Sequence, residues 1–197
     1  ETEESERVDV DLSAVLFDEN FNFVDWLDYT QLTSDLGCHS GDYTSAKDGA
    51  TEFIDLNLEK AKELNGRYVA VTLLSFTGQG FDSFPCFSGF MERDSLSKDL
   101  FDVKTVKEKF DVNASGRQVI PLIFDLETNE MIWADLTMKG NVADNINSTK
   151  NRISKACLAI SKYRKNKMTM YELLSYQYNG KGEEIKELRI DEMMALI

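Results

Sequence analysis

Over the first two-thirds of the chain, apolar and polar residues alternate in short runs; after that they recur at helical spacing. Residues 8–17 alternate as a strand does, with Asp9, Asp11 and Ser13 on one face. Asp18-Glu19-Asn20 turns the chain, and residues 21–27 follow with aromatic and apolar side chains. Residues 52–58 alternate again, and 58–64 predict one short helix closed by Asn65-Gly66. Residues 67–76, rich in β-branched and aromatic types, read as a buried central strand. Thr77-Gly78-Gln79-Gly80 breaks that strand as a tight turn, and 86–92 resumes. Residues 119–126 and 131–138 flank Glu127-Thr128-Asn129-Glu130, a hairpin signal. Many short strands at this spacing predict a mainly β fold, a two-sheet antiparallel β-sandwich.

From residue 145 the period changes. Ile146, Ile153, Cys157, Ile160 and Tyr163 fall at helical spacing, residues 170–178 predict a second helix, and Ile185, Leu188 and 193–197 a third. The expected organisation is therefore an acidic tail over 1–6, a sandwich over 7–144, and a helical appendage over 145–197 packed on the sandwich. Residues 145–167 carry Lys150, Arg152, Lys155, Lys162, Arg164, Lys165 and Lys167 and no acid. Such a helix either binds an anionic surface or buries its apolar stripe with the basic face in water. The charge of the rest of the chain favours the second.

Charge sharpens the picture. The net charge is −13, and all of it lies in residues 1–65, which hold 17 acidic against 4 basic residues; the rest hold 18 of each. That argues against nucleic-acid binding, where phosphate contacts need a basic surface. The longest apolar run, 68–74, is too short to insert in a membrane. The acidic start is unlike a secretory leader, and the missing initiator Met predicts a longer parent protein with a flanking domain. Three widely spaced cysteines without a CxxC pattern favour a reducing compartment over a disulfide framework or zinc site, so the expected location is cytoplasmic.

The candidate chemistry lies in the acidic third. Asp9 and Asp11 project from one strand face, and the loop from His39-Ser40-Gly41-Asp42 to Asp48-Gly49-Ala50-Thr51-Glu52 supplies three more carboxylates. Asp9, Asp11, Asp42, Asp48 and Glu52 are thus the expected metal ligands, since a hard cation such as Ca²⁺ is held by converging oxygens. Two other readings stay open: a solvated acidic surface, and a paired-carboxylate glycosidase or similar hydrolase. His39, the single histidine, has no neighbouring nucleophile arranged for catalysis and no G-x-S-x-G elbow to serve, so it is expected to order the loop by hydrogen bonding.

These segments, in this order, resemble the TerD family of tellurium-resistance and stress-response proteins. The family pattern is D-x-D-x-D-x-S, then H-x-G-D, then a Gly/Asp-rich loop ending in Glu, then G-Q-x-F. Here it is met by Asp9-Val10-Asp11-Leu12-Ser13, His39-Ser40-Gly41-Asp42, Asp48-Gly49-Ala50-Thr51-Glu52 and Gly78-Gln79-Gly80-Phe81, over roughly residues 7–95. The resemblance implies a Ca²⁺-binding, non-enzymatic cytoplasmic sandwich with a protein partner, tied to tellurite, phage or general stress. Arg7 stands where the pattern's first Asp would be, and Ala50-Thr51 replace two acids in a loop about one residue shorter. Fewer carboxylates imply a lost or weakened cation site, which leaves a metal-independent interaction domain as the alternative.

Overall fold

The computed structural model describes residues 7–45, 49–93, 101–141 and 144–167. The strands are β1 (Val10–Phe17), β2 (Phe23–Leu27), β3 (Thr33–Ser34), β4 (Gly37–His39), β5 (Ile54–Leu56), β6 (Tyr68–Ser75), β7 (Phe87–Met91), β8 (Val106–Asp111), β9 (Gln118–Asp125) and β10 (Glu130–Met138). Two helices join them, α1 (Leu58–Glu63) and α2 (Ile146–Asn166). The protein is mainly β, with antiparallel sheets and a C-terminal helix. The strands form a five-stranded sheet in the order β10-β9-β6-β1-β2, a three-stranded sheet β3-β4-β5 and a β7-β8 ribbon.

The central position of β6 follows from its sequence. Tyr-Val-Ala-Val-Thr-Leu-Leu-Ser offers no charge, and every residue but Val71 is buried. Its register places Asp11 opposite Leu74 and Ser13 opposite Thr72. Alternation then sorts β1 into two faces. Val15 and Phe17 join Ala70, Ile120, Ile153 and Cys157 in one core, so that face lies under α2. Ala14 and Leu16 pack on the other side with Leu36, Ala61, Ile54 and Leu56, from the three-stranded sheet and α1. A third cluster, Leu73 and Val119 with Phe81 and Val112, brings the end near β7 and β8 onto the same side.

The turns are made by the residue types expected of them. Asp18 Oδ1 accepts from the backbone N–H groups of Asn20 and Asn22, each at 2.8 Å. Asn57 caps α1 by accepting from Lys60 N, and Gly66 N donates to Ala61 O past its end. Asn129, at φ +54°, bends the β9–β10 hairpin. Gly78, at φ +94°, donates to Ser75 O, so a tight turn follows β6 as expected, centred on Phe76-Thr77 and thus earlier in the chain than Thr77-Gly78-Gln79-Gly80.

The start of α2 is fixed more elaborately. Asn145 Oδ1 accepts from Ser148 N, and Ser148 Oγ accepts from Asn145 N, both at 3.1 Å. This reciprocal pair satisfies two donors at the helix entrance. Ile146 N donates to Asp28 Oδ2 at 3.1 Å, from the turn after β2. Ile146, Ile153 and Cys157 are buried and Ile160 is half-buried, as the apolar stripe predicts, but Tyr163 is exposed, so the stripe ends a turn earlier than expected. The basic face is less uniform than expected, because Arg152 points back to Gln118 (2.7 Å) and Asp144 (3.0 Å). Residues to Ile160 belong to one compact unit, and a second begins at Ser161. The helices expected over 170–178 and 193–197 lie outside the described residues, as does the acidic tail. No helix among the described residues is long and apolar enough to cross a membrane.

Candidate metal centre

Strand pairing creates the site at the first half of β1. β2 pairs only with Ala14–Phe17, so the edge of β1 facing away from β6 is uncovered around Leu12. Two side chains take the place of a neighbouring strand there. Glu52 Oε2 accepts from Leu12 N at 2.9 Å, and His39 Nε2 donates to Leu12 O at 3.0 Å. His39 Nδ1 in turn accepts from Gly41 N at 3.1 Å, so both ring nitrogens are spent on backbone. Burial lowers the His39 pKa, which agrees with this neutral, Nε2-protonated ring. Glu52 uses its other oxygen on Tyr43 N, at 2.9 Å. His39 and Glu52 thus pin the loop against the strand, as expected for His39.

The pinned loop delivers Asp42. Gly41, at φ +119°, provides a backbone bend that an L side chain resists, and the chain turns there towards β1. Asp9 and Asp11 share the face of β1 that lies under α2 and are both buried. Among the described residues, Asp9, Asp11 and Asp42 each bring a carboxylate oxygen within 4.8 Å of the other two. Three of the five expected ligands therefore converge. Glu52 stands beside the three and is tied to backbone. Asp48 lies outside the described residues.

The electrostatics of this group are unfavourable as it stands. Asp11 is 4% exposed, and its Oδ2 has no hydrogen-bond partner among the described residues. Burial first, then the charges of Asp9, Glu52 and Asp42, raise its pKa to about 7. Burial raises Glu52 to about 7 as well, against the lowering effect of its two backbone N–H donors. Asp9 is raised by burial although Arg7 opposes the shift. A buried carboxylate that is neither paired nor hydrogen-bonded is costly, and the raised pKa of Asp11 expresses that cost.

Arg7 is the residue whose part in the site is clearest only in three dimensions. Its Nη2 donates to Asp9 Oδ2 at 2.8 Å and its Nε to Thr44 O at 2.6 Å. The turn after β6 holds it in place, since Gln79 Nε2 donates to Arg7 O at 2.8 Å and Asp9 N to Thr77 Oγ1 at 3.3 Å. The Gly78-Gln79-Gly80 segment therefore braces the acidic site. Asp11 also faces the start of α2, where it lines a small cleft with Ser13, Tyr29, Thr72 and Asn145. No family model matches this chain, and no curated protein matches it at a significant level.

Proposed function

We propose that the protein is a calcium-binding, non-enzymatic module whose cation site is built on Asp9, Asp11 and Asp42. The observation that carries this reading is that Asp11, one of three converging carboxylates, is buried with an Oδ2 that has no partner among the described residues. Oxygen-only donors at the edge of a loop suit Ca²⁺, which takes six to eight oxygens in adaptable geometry, better than Mg²⁺, which keeps its waters in a strict octahedron. His39, with both ring nitrogens on backbone, is not itself free to act as a base beside the acids. The packing of the two smaller sheets on one face of the large one supports a TerD-like sandwich. The link to tellurium resistance and stress response rests on the order of the motifs alone, and with it a cytoplasmic setting and a protein partner.

Calorimetric titration of metal-depleted protein with Ca²⁺ tests the reading. Saturable binding in the wild type, lost in Asp11→Asn, is the expected result; no heat and no thermal shift at millimolar Ca²⁺ would sink it. One observation favours the alternative of a metal-independent interaction domain. Arg7 already places a positive charge against Asp9.

A further inference from the structure

Resting on the calcium reading, we propose that Arg7 is a tethered cation that competes with the metal for Asp9 and sets the affinity of the site. Its guanidinium reaches the acidic group from outside, with a side chain 45% exposed against 4% for Asp9. It lies on Asp9 Oδ2, one of the few oxygens a metal at this cluster could use. A divalent ion beside Asp9 and Asp11 would face a fixed positive charge a few ångströms away, and like charges that close repel strongly in a partly buried setting. Entry of the metal therefore moves the guanidinium off Asp9.

That displacement has a second consequence. The same side chain donates from Nε to Thr44 O, so in the metal-free protein Arg7 clips the loop carrying Asp42 to the start of β1. Gln79 fixes the Arg7 backbone through its carbonyl. The side chain can thus swing out while the chain at Arg7 stays anchored. Metal binding exchanges one loop fastening for another: Arg7–Thr44 is released, and Asp42 is drawn onto the ion. Arg7 donates to Asp9 and not to Asp11, whose Oδ2 has no partner among the described residues and is left for the metal.

The test compares wild type, Arg7→Gln and Arg7→Lys by Ca²⁺ titration, with the melting temperature of each recorded without metal. Gln keeps a donor for Thr44 O but loses the charge; Lys keeps the charge. Ten- to hundredfold tighter Ca²⁺ binding in Arg7→Gln, with Arg7→Lys near wild type, is expected. Equal or weaker binding in Arg7→Gln overturns it while leaving the calcium site standing. If neither protein binds, the calcium reading and this proposal fall together. The Arg7 Nε–H resonance of the wild type gives an independent check that needs no variant. It should shift and exchange faster when Ca²⁺ is added, and an unmoved resonance under saturating Ca²⁺ overturns the displacement.

Discussion

Buried carboxylates recur around the five-stranded sheet and are treated in two opposite ways, even where they lie close together: Asp144 and Asp11 line one cleft. Where β9 ends, Asp125 is bound by Arg67 at 3.0 Å and accepts from Glu127 N at 3.0 Å. Beside the start of α2, Asp144 accepts from Arg152 at 3.0 Å and from Asn141 N at 2.9 Å. Both have pKa values lowered below the ordinary carboxylate range; burial opposes the shift, and their hydrogen bonds and arginines outweigh it. Asp28 is completely buried and also hydrogen-bonded, with Thr30 N, Thr30 Oγ1, Gln31 N and Ile146 N all donating to its carboxylate. At the start of β1, Arg7 pairs with Asp9, and Asp11 Oδ2 has no donor among the described residues. The paired group holds the fold; the unpaired group is a held-open vacancy of charge. The same chain builds both, so the lack of donors at Asp11 is not a shortage of suitable side chains.

The sharpest way to break this contrast is to remove one acid from each group. Asp28→Ala strands the backbone N–H groups of Thr30 and Ile146, the latter at the entrance of α2, and the Thr30 hydroxyl, and should cost about 2–4 kcal/mol in urea unfolding. Asp11→Asn in metal-free protein should leave stability unchanged or raise it, because a repelling charge is gone. If Asp11→Asn proved as destabilising as Asp28→Ala, Asp11 would be a structural acid and the distinction would collapse.

The next effect comes from adding the ion. A cation binding only the folded state stabilises it by about 2.7 kcal/mol at a hundredfold excess over Kd. Wild type should melt higher in Ca²⁺, Asp11→Asn should not respond, and Asp144→Asn should respond as fully as wild type from a lower starting point. A Ca²⁺ response that survives Asp11→Asn would place the ion elsewhere.

Much of this site was legible in the sequence, and the limits have physical causes. Alternation put Asp9 and Asp11 on one face, and His-x-Gly-Asp marked the loop that supplies Asp42. Glu52 was read as a ligand because it is an acid at the end of that loop; what it does locally follows from β2 stopping at Ala14 of β1, which leaves Leu12 in need of a partner. Strand length of that kind is decided by pairing, which no local pattern encodes. The same holds for β8, whose Val-Lys-Glu-Lys-Phe-Asp is held as a strand by its ladder with β7 and was not expected. The α2 stripe was legible from its spacing as far as Ile160, though not at the exposed Tyr163, while Asp28, 118 residues before Ile146, could not be read at all. Ile153→Ala, removing a fully buried side chain between α2 and the sheet, should cost about 2–5 kcal/mol and checks that packing by thermal unfolding.

Proton linkage separates the two groups most finely, because their shifts have opposite signs. Asp125 and Asp144 have lowered pKa values. Their contribution is present above the unfolded value near 3.8 and is lost as pH falls through their folded values. Asp11 and Glu52 are raised to about 7. Between their ordinary values and about pH 7 the folded state holds protons that the unfolded state has released, so in metal-free protein their effect makes stability fall as pH rises through that window. His39 works the other way. Its lowered pKa means that the unfolded state binds the extra proton near pH 6, so its contribution grows with pH. The wild-type curve mixes these slopes, and the difference between Asp11→Asn and wild type isolates the first. That difference should widen in favour of the variant from pH 4 to 7 and level off above 7, with the acid limb below pH 4 unchanged. Urea unfolding at half-unit pH steps measures it. A difference that stays flat across pH 4–7 would mean that Asp11 titrates as an ordinary surface acid, and the held-open carboxylate would lose its physical basis.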